Sequence, residues 1–229
     1  MPPAPAVTTQ TAVTTAAPPK TTTAAYVPAD LTPKQLMNKM TLEQKVCQMF
    51  MVTPEALTGI SPMVEVGQGT ANAMKKYPVG GIIYFAQNLN SRSQITAMIN
   101  NTQNFSKAAC GTGVFTAIDV EGGTVARAAQ KLGTTSFSNM AYYGQYNDSG
   151  TAYNIGNTIG TDLRALGFNV DFAPVADVNI DPNNELGDRI FSSNPEVVAN
   201  MVTNVSMGMQ DAGVSATLKH FPGLGTENG

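Results

Sequence analysis

The sequence has no tryptophan, one histidine and two cysteines among its 229 residues, and only 13% of them are charged. Two cysteines are too few for a disulfide framework, and one histidine with two distant cysteines cannot form a zinc cluster. The net charge is −3 and no basic block is present, so nothing favours nucleic acid or an anionic membrane. No apolar run is long enough to span a bilayer. We therefore expect no metal, no cofactor, no nucleic-acid partner and no membrane span.

The chain divides by composition into two parts. Hydrophobic residues make up 42% of it, which is enough for a sizeable core. Residues 1–28, however, consist mainly of proline, threonine and alanine, and Lys20 is their only charge. We predict a disordered linker over residues 1–30 and a folded domain over residues 31–229. Pro/Thr-rich tethers are typical of proteins outside the cell, so we expect an extracellular or cell-surface location, with an export signal lost upstream.

Short apolar runs alternate with helix signals along the folded part. The predicted strands are 79–85, 114–120, 168–174 and 214–218. Residues 49–52 are either the end of a helix or a first strand. Helices are predicted between the strands, with Ser91 and Asn194 as caps of two of them. Residues 124–150 mix small, polar and aromatic side chains and are predicted to form a long loop.

This alternation indicates an α/β protein, and strands that are apolar on both faces favour a parallel sheet. Long polar loops follow three of the strands, whereas the connections before them are short. That asymmetry is typical of a barrel with its site at one face. An open doubly wound sheet remains the alternative from spacing alone.

The strand 214–218 leads into Lys219 and His220, and Pro222 with Gly223 then prevents any helix. The carboxyl edge of a parallel sheet is where ligands bind in α/β folds, so we expect a site there. The spacing of Gly223 and Gly225 does not fit a dinucleotide-binding loop.

Two more groups follow predicted strands. Asp119 and Glu121 end the strand 114–120, and we expect them to face opposite sides; a turn with caps is the alternative. Arg127, eight residues after Asp119, is placed either at the same edge or on the surface. Arg189 lies between apolar neighbours in a loop, where its guanidinium can hold hydroxyls or a carboxylate.

The alternative for Arg189 is a structural ion pair with Asp188 or Asp181. Asp171 and Asp177, on either side of Ala173 and Pro174, are predicted to have structural roles that tie down the loop.

Five short motifs occur in one order across the folded part. They are Asp119-x-Glu121-Gly122-Gly123-x-x-x-Arg127, Ala173-Pro174-Val175-Ala176-Asp177-Val178, Gly187-x-Arg189-x-Phe191, Gly208-Met209-x-x-Ala212-Gly213 and Lys219-His220-Phe221-Pro222-Gly223-x-Gly225. In this combination the chain resembles the N-terminal catalytic domain of glycoside hydrolase family 3, in its β-N-acetylhexosaminidase-like branch. Leu224 departs from the pattern, since a histidine is common there.

The resemblance implies a (β/α)8 TIM-type barrel of which this chain holds about the first five strands. It also implies that Asp119, Arg127, Arg189, Lys219 and His220 hold a terminal β-linked N-acetylglucosamine-type sugar. Such enzymes are retaining, with an Asp nucleophile and a loop His as acid/base. Both are expected beyond Gly229, so we expect no catalytic residue in this chain, and an inactive, poorly folding fragment.

The implied partner is a carbohydrate, an amino-sugar glycoside derived from cell walls. Two other functions remain open at this stage. One is a β-glucosidase or β-xylosidase of the same family, and the other is a catalytically inactive barrel kept as a sugar-binding module.

Overall fold

The computed structural model of this chain describes residues 31–225. The chain divides into two units, Met1–Leu31 and Thr32–Gly229, and the elements below all belong to the second. The linker predicted over residues 1–30 lies outside the described residues.

A five-stranded parallel sheet and a separate two-stranded ribbon make up the β-structure of residues 31–225. The strands are β1 (Met51–Val52), β2 (Gly81–Ile83), β3 (Phe115–Ile118), β4 (Val120–Gly122), β5 (Val125–Ala126), β6 (Val170–Asp171) and β7 (Ser215–Ala216). The large sheet has the order β1-β2-β3-β6-β7 with every neighbour parallel, and β4 pairs with β5 antiparallel.

The order of strands in the large sheet is the order in the chain, so each new strand joins at the same edge. A doubly wound sheet reverses its direction of growth at a switch point, and no reversal occurs among these five strands. Growth in one direction is the strand order of a (β/α)8 barrel. The predicted fold class, with about five strands of a barrel, is confirmed.

Helices occupy most of the connections between the strands. They are α1 (Pro33–Lys39), α2 (Leu42–Cys47), α3 (Pro54–Thr58), α4 (Gln68–Lys76), α5 (Arg92–Cys110), α6 (Arg127–Leu132), α7 (Met140–Gly144), α8 (Ser149–Leu166) and α9 (Pro195–Asp211). The predicted caps are present, since Ser91 Oγ accepts from Gln94 N and Asn194 Oδ1 accepts from Glu196 N. Within residues 31–225, no helix is both long and apolar enough to cross a membrane.

The core lies between the sheet and the long helices. Ile95 and Ile99 of α5 and Ile159 of α8 are buried in it, because apolar residues three and four apart share one helix face. Tyr84 and Phe168 meet edge-on, with ring centroids 5.8 Å apart. This packing supports the sheet from which the polar strand ends project.

The long loop predicted over residues 124–150 is wrong, since β5, α6 and α7 lie in it. These elements are too short to show an apolar repeat over several turns, which is the signal that identifies a helix from sequence. The strands are also shorter than predicted. Backbone pairing nevertheless continues past the assigned ends, for example from Tyr84 N to Ala117 O at 2.9 Å.

Candidate functional site

Lys219 is the centre of a cluster of charged side chains beyond the carboxyl end of β7. Its Nζ lies 2.9 Å from Asp119 Oδ1 and 2.5 Å from Glu121 Oε1. The backbone of Lys219 is held by Ala176 N, which donates to its carbonyl at 2.6 Å. Its side chain is 15% exposed, so this ammonium ion is largely removed from water and needs the two carboxylates.

Asp119 lies in the gap between β3 and β4 and joins Lys219 to a second cation. Its Oδ2 is 3.1 Å from Nη1 of Arg127, the first residue of α6. The Arg127 guanidinium also lies over the ring of Phe85, 5.3 Å from the centroid, in cation–π geometry. Arg127 is therefore directed to the mouth of the sheet instead of to open solvent.

Arg189 closes the cluster from the loop after β6. Its Nε donates to Glu121 Oε2 and its Nη2 to Glu121 Oε1, both at 2.8 Å, which is the bidentate geometry of a guanidinium on a carboxylate. The hydrogen bond to Glu121 raises the pKa of Arg189. Arg189 pairs with neither Asp188 nor Asp181. The alternative prediction of an ion pair with one of these two residues is therefore wrong.

Glu121 is the residue that the sequence reasoning missed. Asp119 and Glu121 were expected to face opposite sides, but both carboxylates reach the same Lys219 Nζ. The two-residue period of extended backbone, which puts residues i and i+2 on one face, was the available signal. The Glu121 side chain is 1% exposed, against 14% for Asp119. Asp119 can therefore touch a ligand, whereas Glu121 holds the cations in place.

His220 follows Lys219 but has its own partner. Asp177 Oδ2 lies 2.7 Å from His220 Nδ1 and accepts from His220 N at 3.0 Å, while Asp177 Oδ1 accepts from Leu224 N at 2.6 Å. Burial raises the pKa of Asp177, but these hydrogen bonds outweigh it and hold the pKa below its usual value. Asp177 thus ties down the loop from His220 to Leu224, the structural role predicted for it.

Asp171 lies beneath the cluster in β6 and is fully buried. Its Oδ1 accepts from Val120 N at 2.8 Å, and its Oδ2 has no hydrogen-bond partner among the described residues. Burial raises the pKa of this carboxyl well above its usual value, and Lys219 only partly opposes the rise. Asp171 therefore supports the backbone between Asp119 and Glu121, and its carboxyl binds a proton more tightly in the folded protein than in the unfolded chain.

Four of the five residues predicted to hold a ligand, Asp119, Arg127, Arg189 and Lys219, are joined through ion pairs, with Glu121 linking Arg189 to the rest. His220 is adjacent along the chain and lines a cavity of about 430 Å³ with Lys219 and Asp177. Their roles toward a ligand stay predictions.

The cluster retains free hydrogen-bonding capacity. Lys219 has three N–H donors and uses two, and each guanidinium has five. A carboxylate can accept about four hydrogen bonds, so Asp119 also has spare capacity. Converging donors and acceptors of this kind suit a ligand with several hydroxyls. Across residues 31–225, no group of three His, Cys, Asp or Glu side chains is arranged to hold a metal ion.

Comparisons with known proteins agree with this geometry. The family model of the glycosyl hydrolase family 3 N terminal domain matches residues 41–229. Beta-hexosaminidase A of Pseudoalteromonas piscicida is 38% identical over 156 residues, which cover 66% of this chain and 26% of that protein. A beta-hexosaminidase of Bordetella avium is 34% identical over 174 residues, covering 71% of this chain and 48% of its own length.

A solved structure gives the same result for the fold. The glycoside hydrolase family 3 beta-N-acetylglucosaminidase from Paenibacillus sp. str. FPU-7 superposes with a TM-score of 0.73 and 37% sequence identity. The match covers 81% of this chain and 34% of that one. The chain therefore spans less than half the length of these relatives.

Proposed function

The chain belongs to glycosyl hydrolase family 3, and on that basis we propose that its charged cluster binds the terminal sugar of a β-linked N-acetylglucosamine-type glycoside. The bound sugar is the one released when the glycosidic bond is cleaved. We propose sugar binding for the described residues, and hydrolysis for the whole protein to which they belong.

The observation that carries the proposal is the ion-pair network from Arg127 through Asp119, Lys219 and Glu121 to Arg189. It brings side chains from three strand ends to one point while leaving donors and acceptors unused. Charged groups form hydrogen bonds to hydroxyls that are roughly twice as strong as neutral ones. A pyranose ring, with hydroxyls around its rim, matches such a ring of converging groups.

Each residue has a distinct proposed role. Asp119 accepts from sugar hydroxyls, while Lys219, Arg127 and Arg189 donate to hydroxyl oxygens. His220, with Nδ1 held by Asp177, directs its other ring nitrogen elsewhere and is proposed to contact the same sugar. These groups position the sugar for a retaining mechanism, in which a carboxylate attacks the anomeric carbon and water later releases the product.

The test is binding of N-acetylglucosamine, which isothermal titration calorimetry or ligand-observed NMR measures. Asp119→Asn removes the charge but keeps the shape, and we expect it to weaken binding by about 10- to 100-fold. Glu185→Gln, an exposed carboxylate in the loop that carries Arg189, is the matched control and should leave binding unchanged. Equal affinities of the wild type and Asp119→Asn would contradict the proposed site.

The choice of sugar is tested separately with 4-nitrophenyl glycosides. The proposal requires that the protein hydrolyse the N-acetyl-β-glucosaminide faster than the β-glucoside and the β-xyloside. A preference for the β-glucoside would indicate a β-glucosidase instead, and a preference for the β-xyloside would indicate a β-xylosidase. Binding of N-acetylglucosamine without hydrolysis of any substrate would favour a sugar-binding module.

We further propose that the protein acts at the cell surface or outside the cell, on amino sugars derived from cell walls. The Pro/Thr/Ala-rich composition of residues 1–28 supports the location. Accessibility of a tagged protein to protease added outside intact cells tests it, and complete protection would contradict it.

A further inference from the structure

Arg127 has weaker ionic contacts than the other two cations of the charged cluster. Lys219 lies between two carboxylates, and Arg189 makes two hydrogen bonds to Glu121. Across residues 31–225, Arg127 pairs with one carboxylate, that of Asp119, at 3.1 Å. Its side chain is 27% exposed, against 15% for Lys219. A long, partly exposed side chain keeps several rotamers of similar energy, so one ion pair does not fix its orientation.

The place of Arg127 in α6 adds a reason for its side chain to turn away from the site. It is the first residue of that helix, where the partial positive charge of the helix end repels a guanidinium. Asp119 offsets this repulsion with its Oδ2 and with its backbone carbonyl, which lies 3.5 Å from Arg127 Nη1. Both contacts act on the same nitrogen, so they do not by themselves set the plane of the guanidinium.

The ring of Phe85 supplies the remaining contact. The Arg127 Cζ lies 5.3 Å from the centroid of this ring, within the range of about 6 Å at which a cation is attracted to an aromatic face. A planar guanidinium is especially suited to such a face. Phe85 is half-buried and follows β2 by two residues, at the carboxyl edge of the sheet. An apolar side chain from β2 therefore takes part in orienting a charged one.

Phe85 is itself held in place by a buried hydrogen-bond network. Its backbone N–H donates to Asn88 Oδ1 at 2.8 Å. The Asn88 side chain is fully buried, and its Nδ2 donates to Glu55 Oε1 at 2.7 Å and to the carbonyl of Met63 at 2.8 Å. Moving this amide would leave buried polar groups without partners, which is costly. The backbone that carries the Phe85 ring is therefore fixed before any ligand binds.

The far end of α6 is tied to the same part of the chain. Arg92, the first residue of α5, donates from Nε to the carbonyl of Leu132 at 2.9 Å and from Nη2 to that of Gly133 at 2.7 Å. Helix α6 is thus held at both ends by residues that follow β2, by Arg92 at its end and by Phe85 at its start. The spacing between the ring and the guanidinium is set by the fold.

From these contacts we propose that Phe85 is a positioning residue of the sugar site, which acts by holding Arg127 against Asp119. Asp119 Oδ1 faces Lys219 and Oδ2 faces Arg127, so both cations are needed to keep this carboxylate in one orientation toward a sugar hydroxyl. The inference rests on the proposed function, because it takes Asp119 as an acceptor for the sugar. Phe85 acts through Arg127 and does not itself need to touch the ligand.

The first experiment measures the affinity for N-acetylglucosamine by calorimetry. Phe85→Leu keeps an apolar side chain but removes the aromatic face, and should weaken binding by about threefold to tenfold. Phe85→Tyr keeps the face and should lose less than about twofold. Phe105→Leu is the matched control, since Phe105 is also half-buried but lies in the second half of α5, which leads away from the carboxyl edge. It should leave the affinity unchanged.

A double-mutant cycle separates positioning from a general loss of structure. In an Arg127→Ala background the contact through which Phe85 acts is absent, so adding Phe85→Leu should change the affinity by less than about twofold. An equal loss in both backgrounds would show that Phe85 acts independently of Arg127 and would overturn the proposal. An unchanged affinity of Phe85→Leu in the otherwise wild-type protein would overturn it as well.

A second measurement observes Arg127 directly and does not depend on the affinity of any variant. In the NMR spectrum, protons over the face of an aromatic ring are shifted upfield, so the Nε–H resonance of Arg127 should be shifted in the wild type and in Phe85→Tyr. The shift should disappear in Phe85→Leu, and Arg127→Lys assigns the resonance by removing it. A resonance that does not respond to Phe85→Leu would overturn the positioning role.

The two levels of the argument fail separately. If the wild type does not bind N-acetylglucosamine, the proposed function is overturned, and the positioning role with it. If the wild type binds the sugar but Phe85→Leu binds equally well, the positioning role alone is overturned.

Discussion

The buried carboxyl of Asp171, whose pKa is raised by burial, predicts an unusual dependence of stability on pH. The folded protein holds this proton more tightly than the unfolded chain, because burial raises the pKa above the usual 3.8. Stability from this group is therefore complete below pH 3.8 and is lost as the pH rises toward the native pKa. Asp171→Asn carries a permanently neutral group of the same shape, keeps the acceptor for Val120 N and does not suffer this loss.

The expected magnitude follows from proton linkage. Between the unfolded and native pKa values, the stability of Asp171→Asn relative to wild type should rise by about 1.4 kcal/mol per pH unit. Urea denaturation at a series of pH values from just above 3.8 upward measures this difference, and effects common to both proteins cancel in it. Glu185→Gln removes an exposed carboxylate and is the control. A slope no steeper than that of Glu185→Gln, or one of opposite sign, would refute the argument that burial raises the pKa of Asp171 in the folded state.

Three other changes test the contacts that build the site. Glu121→Gln should destabilise the protein by about 3 kcal/mol, since it removes the carboxylate partner of Arg189 and leaves Lys219 with Asp119 alone; a loss no larger than that of Glu185→Gln in urea denaturation would contradict this. Asp177→Asn should lower the free energy of unfolding at neutral pH, and the difference from wild type should disappear as acid protonates wild-type Asp177, because the pKa of Asp177 is lower in the folded protein. A difference that persists fully in acid would contradict a lowered pKa. Ser91→Ala removes the cap of α5 and should cost about 1 kcal/mol by the same assay, whereas the exposed Ser193→Ala should not.

Part of this site could be predicted from sequence because it follows a general rule of parallel sheets. Residues that directly follow strands meet at the carboxyl edge, so Asp119 and Lys219 were expected together although 100 residues separate them. The helix caps Ser91 and Asn194 could also be predicted from the sequence, since a cap bonds to a residue only a few positions away. These predictions, which depend on a few neighbouring residues or on the direction of a strand, were confirmed.

What could not be predicted is which charge pairs with which, and the reason is geometric. For Arg189 the alternative to a ligand-binding role was an ion pair with Asp188 or Asp181, which are near in sequence, but its partner Glu121 is 68 residues away. The loop after β6 must fold back across β4 to make that contact, and nothing in the residues of the loop specifies how far it reaches. Glu121 was overlooked for a related reason. The turn expected at the end of the strand was taken to direct Asp119 and Glu121 to opposite sides, whereas both carboxylates reach Lys219. The sequence therefore predicts which groups gather at an edge, and the tertiary structure decides which of them contact a ligand and which, like Glu121, hold the others in place.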